Sequence, residues 1–189
     1  MLTVRYAPVR ALSELIPEAE ERLSPELCRY ATLPRGEGDR ARRLAGLLLL
    51  SSVYSEEAGQ RLPPILRTPE GKPYFAEGGY HFSISHADGM VAVALSDTEV
   101  GIDIELLYEH KRERIERLSR WMGDGERAAI ATAESTDRAF VTAWVRKEAQ
   151  VKKSGIGLAG MRSADATLPP LYEATPRAGD GREYYLAVY

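Results

Sequence analysis

The sequence predicts an α+β fold, and three observations lead to it. Helical and strand-like patterns are mixed along the chain without the strand–helix–strand alternation of a parallel sheet. The chain has 189 residues, 44% of them hydrophobic, which is enough for one large domain or two small ones. The one cysteine, Cys28, excludes an intrachain disulfide and a cysteine-based metal site, and it favours a reducing, cytoplasmic setting.

The first part of the chain predicts a strand followed by short helices. Residues 2–9 alternate between apolar and polar side chains, as a half-buried strand does. Ser13 and Ser24 are candidate N-caps for short helices over residues 18–21 and 26–30.

One long helix is predicted from Asp39 to Ala58. Apolar residues recur there at intervals of three and four, beginning at Leu44. Arginines are concentrated in its opening turns, where the backbone N–H groups and the helix dipole already favour an anion. Arg42 and Arg43 are therefore candidates for binding an anionic ligand.

The middle of the chain predicts a loop and then a run of strands. Residues 62–79 contain four prolines, so they are interpreted as loop with at most short extended pieces. Two strands over 81–85 and 91–95 are joined by an Asp-Gly turn. A third strand over 100–106 is expected to pair beside them as a meander.

The remainder predicts mainly helix. Residues 109–134 are charged and helical in propensity, with a break at Gly123 and Gly125. A second strong helix follows a Ser-Thr-Asp cap and covers residues 138–153. The clearest strand of the tail covers residues 183–189.

Charge and hydropathy exclude two classes of partner. The chain carries 25 Lys and Arg against 28 Asp and Glu, a formal net charge of -3, whereas proteins that coat nucleic acid are clearly basic. The longest apolar run, Leu47 to Leu50, is far shorter than a membrane span. A soluble protein with no nucleic-acid or membrane partner is expected.

The segment Gly101-Ile102-Asp103-Ile104-Glu105 is the first candidate site. On a strand, Asp103 and Glu105 project from one face while Ile102 and Ile104 turn to the other. Two hard oxygen donors side by side suit Mg²⁺. The alternative is a solvated acidic face opposite arginines of residues 111–120.

The segment from Trp144 to Lys152 is the second candidate. At helical spacing Trp144, Glu148 and Lys152 share one stripe, with Lys147 beside it. Glu148 and Lys152 can form an acid/base pair, or Glu148 can add a third metal ligand. The alternative is an ordinary surface Glu-Lys pair with Trp144 anchoring the helix to the core.

Two smaller signals carry little weight alone. His86 ends the strand that begins at Phe82, and a lone histidine is more often structural than functional. Lys72 in a Gly-Lys-Pro turn is ordinarily just solvated.

Taken together and in this order, the segments resemble the surfactin-type 4′-phosphopantetheinyl transferases. The family patterns G-x-D-x-E and W-x-x-K-E-x-x-x-K are both met in full. The resemblance extends over about residues 24–160 and includes, besides the segments above, Gly71-Lys72-Pro73, the arginine-rich helix opening and Gly155-Ile156-Gly157-Leu158.

The resemblance implies transfer of the 4′-phosphopantetheine group from coenzyme A to a serine of an apo carrier protein. The products are the holo carrier protein and adenosine 3′,5′-bisphosphate, and the reaction depends on Mg²⁺. The serine belongs to the partner, which accounts for the lack of a recommended internal nucleophile.

The resemblance also implies a role for each candidate residue. Asp103, Glu105 and Glu148 would bind the metal, Glu148 would also take the serine proton, and Lys152 would stand near the leaving phosphate. The resemblance implies that six residues contact coenzyme A, several of them at its 3′-phosphate, where Arg35 assists. These residues are Arg42, Arg43, Lys72, Ser85, His86 and Lys147.

The family fold is a pseudo-twofold pair of similar α+β halves with the active site in the cleft between them. Here residues 1–98 would form the half that contacts the 3′-phosphate, and residues 99–189 the half with the metal site and catalytic helix. Such a chain is expected to act as a monomer. The family often has a phenylalanine shortly before an acidic residue in the segment after the metal strand. Glu126 is the natural match for that acidic residue, but Asp124 and Gly125 precede it here, so its role is open.

Carrier proteins of this kind are acidic, so a basic or apolar docking rim is expected around residues 112–122. Arg112, Arg114 and Arg117 are its candidate residues. Two other functions compete with transfer. The first is a Mg²⁺-dependent phosphodiester hydrolase, but this sequence does not supply the extra His or Asp ligands that two-metal hydrolases usually have. A non-catalytic module that binds coenzyme A or a carrier protein predicts loss of one of the site residues, yet all are present.

Overall fold

The computed structural model describes residues 1–15, 23–25, 27, 37–108 and 112–189. Helices and antiparallel strands are mixed, which confirms the α+β class. The chain divides into two compact units, Met1–Val100 and Gly101–Tyr189. Several predictions fall outside the described residues: the helix over 18–21, most of that over 26–30, and Cys28 and Arg35.

The N-terminal unit is built on a three-stranded antiparallel sheet. Its elements in chain order are β1 (Leu2–Pro8), α1 (Val9–Ser13), α2 (Glu37–Ala58), β2 (Ile65–Arg67), β3 (Pro73–Phe75), β4 (His81–Ala87) and β5 (Met90–Ser96). The sheet order is β1-β5-β4, and the central β5 is buried along its whole length because it carries no charged side chain. The predicted loop holds the short β2-β3 pair.

Helix α2 covers the predicted long helix and packs on this sheet. Four of its leucines and Val53 are buried, and the leucines are Leu44, Leu47, Leu48 and Leu50. Gly46 permits the approach, because a Cβ there would meet Cγ2 of Ile84 on β4 at 2.9 Å. Helix α1 was not predicted from the sequence.

The C-terminal unit also holds a three-stranded antiparallel sheet and a long helix. Its elements are β6 (Ile102–Leu106), α3 (Arg112–Ser119), α4 (Asp124–Thr132), α5 (Thr136–Ser154), a 3₁₀ helix (Gly157–Arg162), β7 (Tyr172–Ala174) and β8 (Tyr184–Val188). The sheet order is β6-β8-β7. The break predicted in the charged helical region occurs at Gly123, whereas Gly125 lies inside α4.

The predicted meander is wrong in its third strand. β6 pairs with β8, with Asp103 opposite Ala187, and not with β5. β5 already has β1 on one side and β4 on the other, so both of its edges are occupied. The sequence shows which residues form strands, but pairing between strands far apart in the chain depends on tertiary packing.

Helix α5 is the central helix of the C-terminal unit. Ser135 caps it by accepting the N–H of Arg138 at 3.3 Å, and Gly155 ends it in the left-handed conformation at φ 74°. Its apolar face packs in one core with Tyr185 and Ala187 of β8. None of the described helices combines the length and apolar character needed to cross a bilayer.

Candidate active site

The glycine of the first motif brings the two candidate segments together. A Cβ at Gly101 would overlap the backbone of α5, including the carbonyl oxygen of Ala149 and, at 2.9 Å, the Cα of Lys153. Only glycine permits so close an approach of a helix to the start of β6. The last turns of α5, with Glu148 and Lys152, therefore lie against the strand that carries Asp103 and Glu105.

The strand alternates as the sequence predicts. Ile102 and Ile104 are 0% and 1% exposed and point to one face, whereas Asp103 and Glu105 share the other face. Asp103 is itself buried, at 5% exposed. Its Oδ1 accepts a hydrogen bond from Nζ of Lys152 at 2.6 Å. The buried carboxylate is thus compensated by a cation from the second motif.

Glu148 is a partly buried carboxylate one helical turn before Lys152. Burial, first of all, and then the charge of Asp103 raise its pKa to about 6, with a smaller increase from Glu105 and an opposing effect of Lys152. Three carboxylates are therefore close enough to repel one another, against one ammonium that offsets part of this repulsion.

These carboxylates are of the donor type that a divalent cation takes. Hard oxygen ligands suit Mg²⁺, and a bound cation would relieve the repulsion that raises the pKa of Glu148. Among the residues that the structure describes, no three His, Cys, Asp or Glu side chains already converge as metal ligands. Asp103 is instead bonded to Lys152.

Lys147, predicted to contact coenzyme A, is bound inside the unit. Its residue is 1% exposed, and its Nζ donates to both carboxylate oxygens of Glu126, at 3.1 and 3.3 Å, and to the carbonyl oxygen of Ala164. Every donor contact the structure gives Lys147 therefore goes to protein.

Glu126, whose role the sequence left open, is the partner of Lys147. It also accepts the N–H of Gly123 at 2.6 Å and of Ala166 at 2.8 Å. Burial alone would raise its pKa, but the two backbone N–H groups and then the Lys147 ammonium outweigh it and lower the pKa. The sequence signal for this position is the Gly-x-x-Glu capping box at the start of α4.

A second network around Arg146 was missed in the sequence. Arg146 donates to the hydroxyl of Tyr185 at 3.0 Å, to Glu173 at 2.8 Å and to the carbonyl oxygen of Ala166 at 3.2 Å. Gln150 exchanges two hydrogen bonds with the backbone of Asp165. No local pattern could have paired these side chains, because the partners of Arg146 and Gln150 lie 15 to 39 positions away.

The candidate phosphate-binding residues lie in the N-terminal unit. Nε of Arg42 is buried and has no hydrogen-bond partner among the described residues. Lys72 forms an ion pair with Glu99, which also lies 3.3 Å from Nδ1 of His81. Neither Arg42 nor Lys72 is solvated in the way that an isolated surface cation would be.

Ser85 and His86 are neighbours on β4 and therefore point to opposite faces of the sheet. Ser85 is buried at 4% exposed, and His86 is exposed. The two side chains cannot bind one ligand atom from the same face of the strand.

One family model and three curated proteins match this chain. A family model described as the 4′-phosphopantetheinyl transferase superfamily matches residues 99–184, which include both motifs. Residues 99–184 of the chain belong to the 4′-phosphopantetheinyl transferase superfamily. The suspected family is thereby confirmed.

Three curated relatives of the superfamily carry related names. The 4′-phosphopantetheinyl transferase psf-1 of Bacillus pumilus is 31% identical over 148 residues, 75% of this chain and 62% of the relative. A putative 4′-phosphopantetheinyl transferase of Haemophilus influenzae is 31% identical over 160 residues, 77% of this chain and 61% of the relative. A phosphopantetheinyl transferase of Thraustochytrium sp. is 31% identical over 156 residues, 71% of this chain and 53% of the relative. The chain thus spans about half to three fifths of these relatives.

Proposed function

We propose that this protein is a 4′-phosphopantetheinyl transferase that moves the phosphopantetheine group of coenzyme A to a serine of an apo carrier protein. The observation that supports it most is the meeting of the two motifs, where Lys152 bonds Asp103 at 2.6 Å and the pKa of Glu148 is raised to about 6. Superfamily membership and the names of the relatives support the same reaction class.

In the proposed reaction the serine oxygen attacks the phosphorus that bears the pantetheine. The bond from that phosphorus to the bridging oxygen breaks, and adenosine 3′,5′-bisphosphate leaves with the bridging oxygen. The serine proton passes to a base. Glu148 is proposed as this base because it is a partly buried carboxylate one helical turn before Lys152, which is proposed to meet the leaving phosphate.

Lys152 is proposed to stabilise the leaving phosphate. Its side chain is 30% exposed, so it can reach a ligand, and it is bonded to Asp103 at the same time. A cation held by Asp103 is oriented before the substrate arrives, which lowers the cost of reorganisation.

Mg²⁺ is proposed to be held by Asp103, Glu105 and Glu148. When bound it would supply positive charge that offsets the charge developing on the phosphate oxygens. Lys147 and Glu126 are not ligands in this proposal. Their buried pair fixes the turn of α5 that precedes Glu148.

The 3′-phosphate of coenzyme A is proposed to bind to Arg42, Arg43, Lys72 and His86. The buried Nε of Arg42 supports this, since a partner from a ligand would satisfy it. Ser85 points to the opposite face of β4 from His86 and is left out of this phosphate site. We further propose that the protein acts as a cytoplasmic monomer.

A chromatographic assay tests this function. The protein is incubated with coenzyme A, an apo acyl carrier protein and Mg²⁺, and the release of adenosine 3′,5′-bisphosphate is measured. Asp103→Asn and Glu148→Gln should lower the rate by about 10²–10⁴-fold, the range of a lost base or ligand, with the fold kept. Glu134→Gln, an exposed carboxylate of the same unit, is the matched control and should leave the rate unchanged. Full activity in both site variants would contradict the proposal.

A further inference from the structure

The C-terminal unit carries a cluster of two arginines and a tryptophan drawn from separate elements. Trp121 follows the end of α3, and the guanidinium of its neighbour Arg120 lies 5.4 Å from the ring centroid. The guanidinium of Arg162, the last residue of the 3₁₀ helix, lies 5.8 Å from the same centroid. We call these three residues the Trp121 cluster.

Both cations of the Trp121 cluster are available to a partner. Arg120 and Arg162 are exposed, and neither forms an ion pair with a carboxylate of the described residues. The neighbouring Arg127, by contrast, is bonded to Asp124 and to the carbonyl oxygen of Met122. The stacking holds the two guanidinium groups on the indole and leaves their N–H donors unused by protein carboxylates.

The Trp121 cluster is fixed to the catalytic helix on two sides. Ile115 and Leu118 of α3 pack in the core that also contains Trp144 of α5. The 3₁₀ helix follows α5 after only Gly155 and Ile156, and it packs against α5. A molecule that bound the cluster would therefore be oriented relative to Glu148.

We propose that the Trp121 cluster is a docking surface for an acidic protein, and, on the function proposed above, that this protein is the apo carrier protein. Tryptophan and arginine are the residues most enriched where protein interfaces gain their energy. Paired guanidinium forks match protein carboxylates in shape as well as charge. Arg120 and Trp121 lie in the segment 112–122 in which the sequence predicts a docking rim, and Arg162 adds a residue from outside that segment.

The test compares charge reversal at the cluster with charge reversal elsewhere in the same unit. Arg120→Glu and Arg162→Glu should each lower kcat/KM for an apo acyl carrier protein about tenfold while the KM for coenzyme A stays constant. The matched control is Arg182→Glu, which makes the same charge change in the turn where Arg182 bonds Asp180. Melting curves establish that each variant folds, and Arg162→Gln replaces Arg162→Glu if the reversal does not.

Salt and binding measurements give independent readouts. The kcat/KM of the unaltered protein should fall with added salt, and that of Arg162→Glu should depend on salt less. Equal kcat/KM values for the carrier in the cluster variants and the control would overturn the docking proposal. A tenfold rise in the KM for coenzyme A in the cluster variants would overturn it as well.

Direct binding separates this inference from the proposed function. If the protein binds the apo carrier but transfers nothing, and Arg162→Glu weakens that binding, the docking surface stands and the transferase proposal fails. If transfer occurs and neither arginine affects carrier binding, the transferase proposal stands and the docking surface fails.

Discussion

Glu148 is a carboxylate that folding places in unfavourable surroundings. Its pKa is raised from 4.5 to about 6 by burial and by Asp103 and Glu105, so the folded protein holds this proton more tightly than the unfolded chain does. The sign follows from proton linkage. The residue destabilises the fold once it is ionised, and the penalty is relieved as the pH falls below the unfolded pKa.

Replacing Glu148 should therefore stabilise the metal-free protein. A shift of this size corresponds to at most about 2 kcal/mol, so Glu148→Gln in chelator should raise the free energy of unfolding by up to that amount at pH 8. The gain should shrink toward pH 4.5. Urea unfolding at both pH values measures it. A variant less stable than the parent at pH 8 would refute the repulsion described for this site.

Glu126 and Lys147 present the opposite case. Their side chains are 9% and 2% exposed, and the pKa of Glu126 is lowered because the Ala166 and Gly123 N–H groups and Lys147 outweigh the effect of burial. A lowered carboxylate pKa contributes stability that is present above the unfolded pKa and is lost as pH falls through the folded pKa.

Glu126→Gln should thus cost about 3–5 kcal/mol at pH 7, since it leaves a buried ammonium without its carboxylate. The difference from the parent protein should narrow in acid. Denaturant midpoints at pH 7 and in acid measure both effects, with Glu134→Gln as the exposed control. A pH-independent difference would mean that the pair contributes packing alone.

At the scale of elements, one glycine determines how α5 meets β6. The backbone of α5 occupies the space that a side chain at Gly101 would need, and rotation of a side chain cannot relieve an overlap between backbone atoms. The absence of a side chain at Gly101 therefore lets the helix that carries Glu148 and Lys152 pack directly against the strand that carries Asp103 and Glu105.

Gly101→Ala should destabilise the protein by about 3 kcal/mol or more. Gly125→Ala is the matched control, because nothing lies within 4 Å of its Cβ position and the residue is in α4. Alanine favours a helix over glycine by about 1 kcal/mol, so the control should be neutral or stabilising. Melting temperatures compare the two, and equal values would contradict the close approach at Gly101.

The elements themselves could largely be predicted from local patterns. The periodicity of α2, the cap at Ser135 and the stop at Gly155 are local signals, and each is present in the structure. The partner of β6 could not be predicted. The strand pairs with residues 78 to 86 positions away, and the pattern of residues 102–106 is compatible with either neighbour.

The candidate site follows the same division. Side-chain alternation on β6 and the helical stripe of α5 indicated the carboxylates and Lys152. The partners of Lys147 and Arg146 come from other elements, so no spacing rule could reveal them. In the sequence Lys147 lies beside the helical stripe, and the family resemblance implies a contact with coenzyme A. Only its burial identifies it as one half of an internal pair.

On the scale of the whole molecule, the chain consists of two compact units, and each unit carries some of the candidate residues. The carboxylates and Lys152 lie in Gly101–Tyr189, whereas the candidate phosphate-binding residues lie in Met1–Val100. The family model matches residues 99–184, which are most of the second unit. The matches to the first two curated relatives cover 62% and 61% of the length of those relatives. Activity of this chain is therefore the central claim to test.

Intact-mass spectrometry of an apo acyl carrier protein incubated with this protein, coenzyme A and Mg²⁺ tests that claim most directly. The account predicts a gain of one phosphopantetheine on the carrier, lost when a chelator is added and lost in Glu148→Gln. No gain on carriers from fatty acid, polyketide and peptide synthesis, with coenzyme A still bound, would contradict it and favour a non-catalytic binding module.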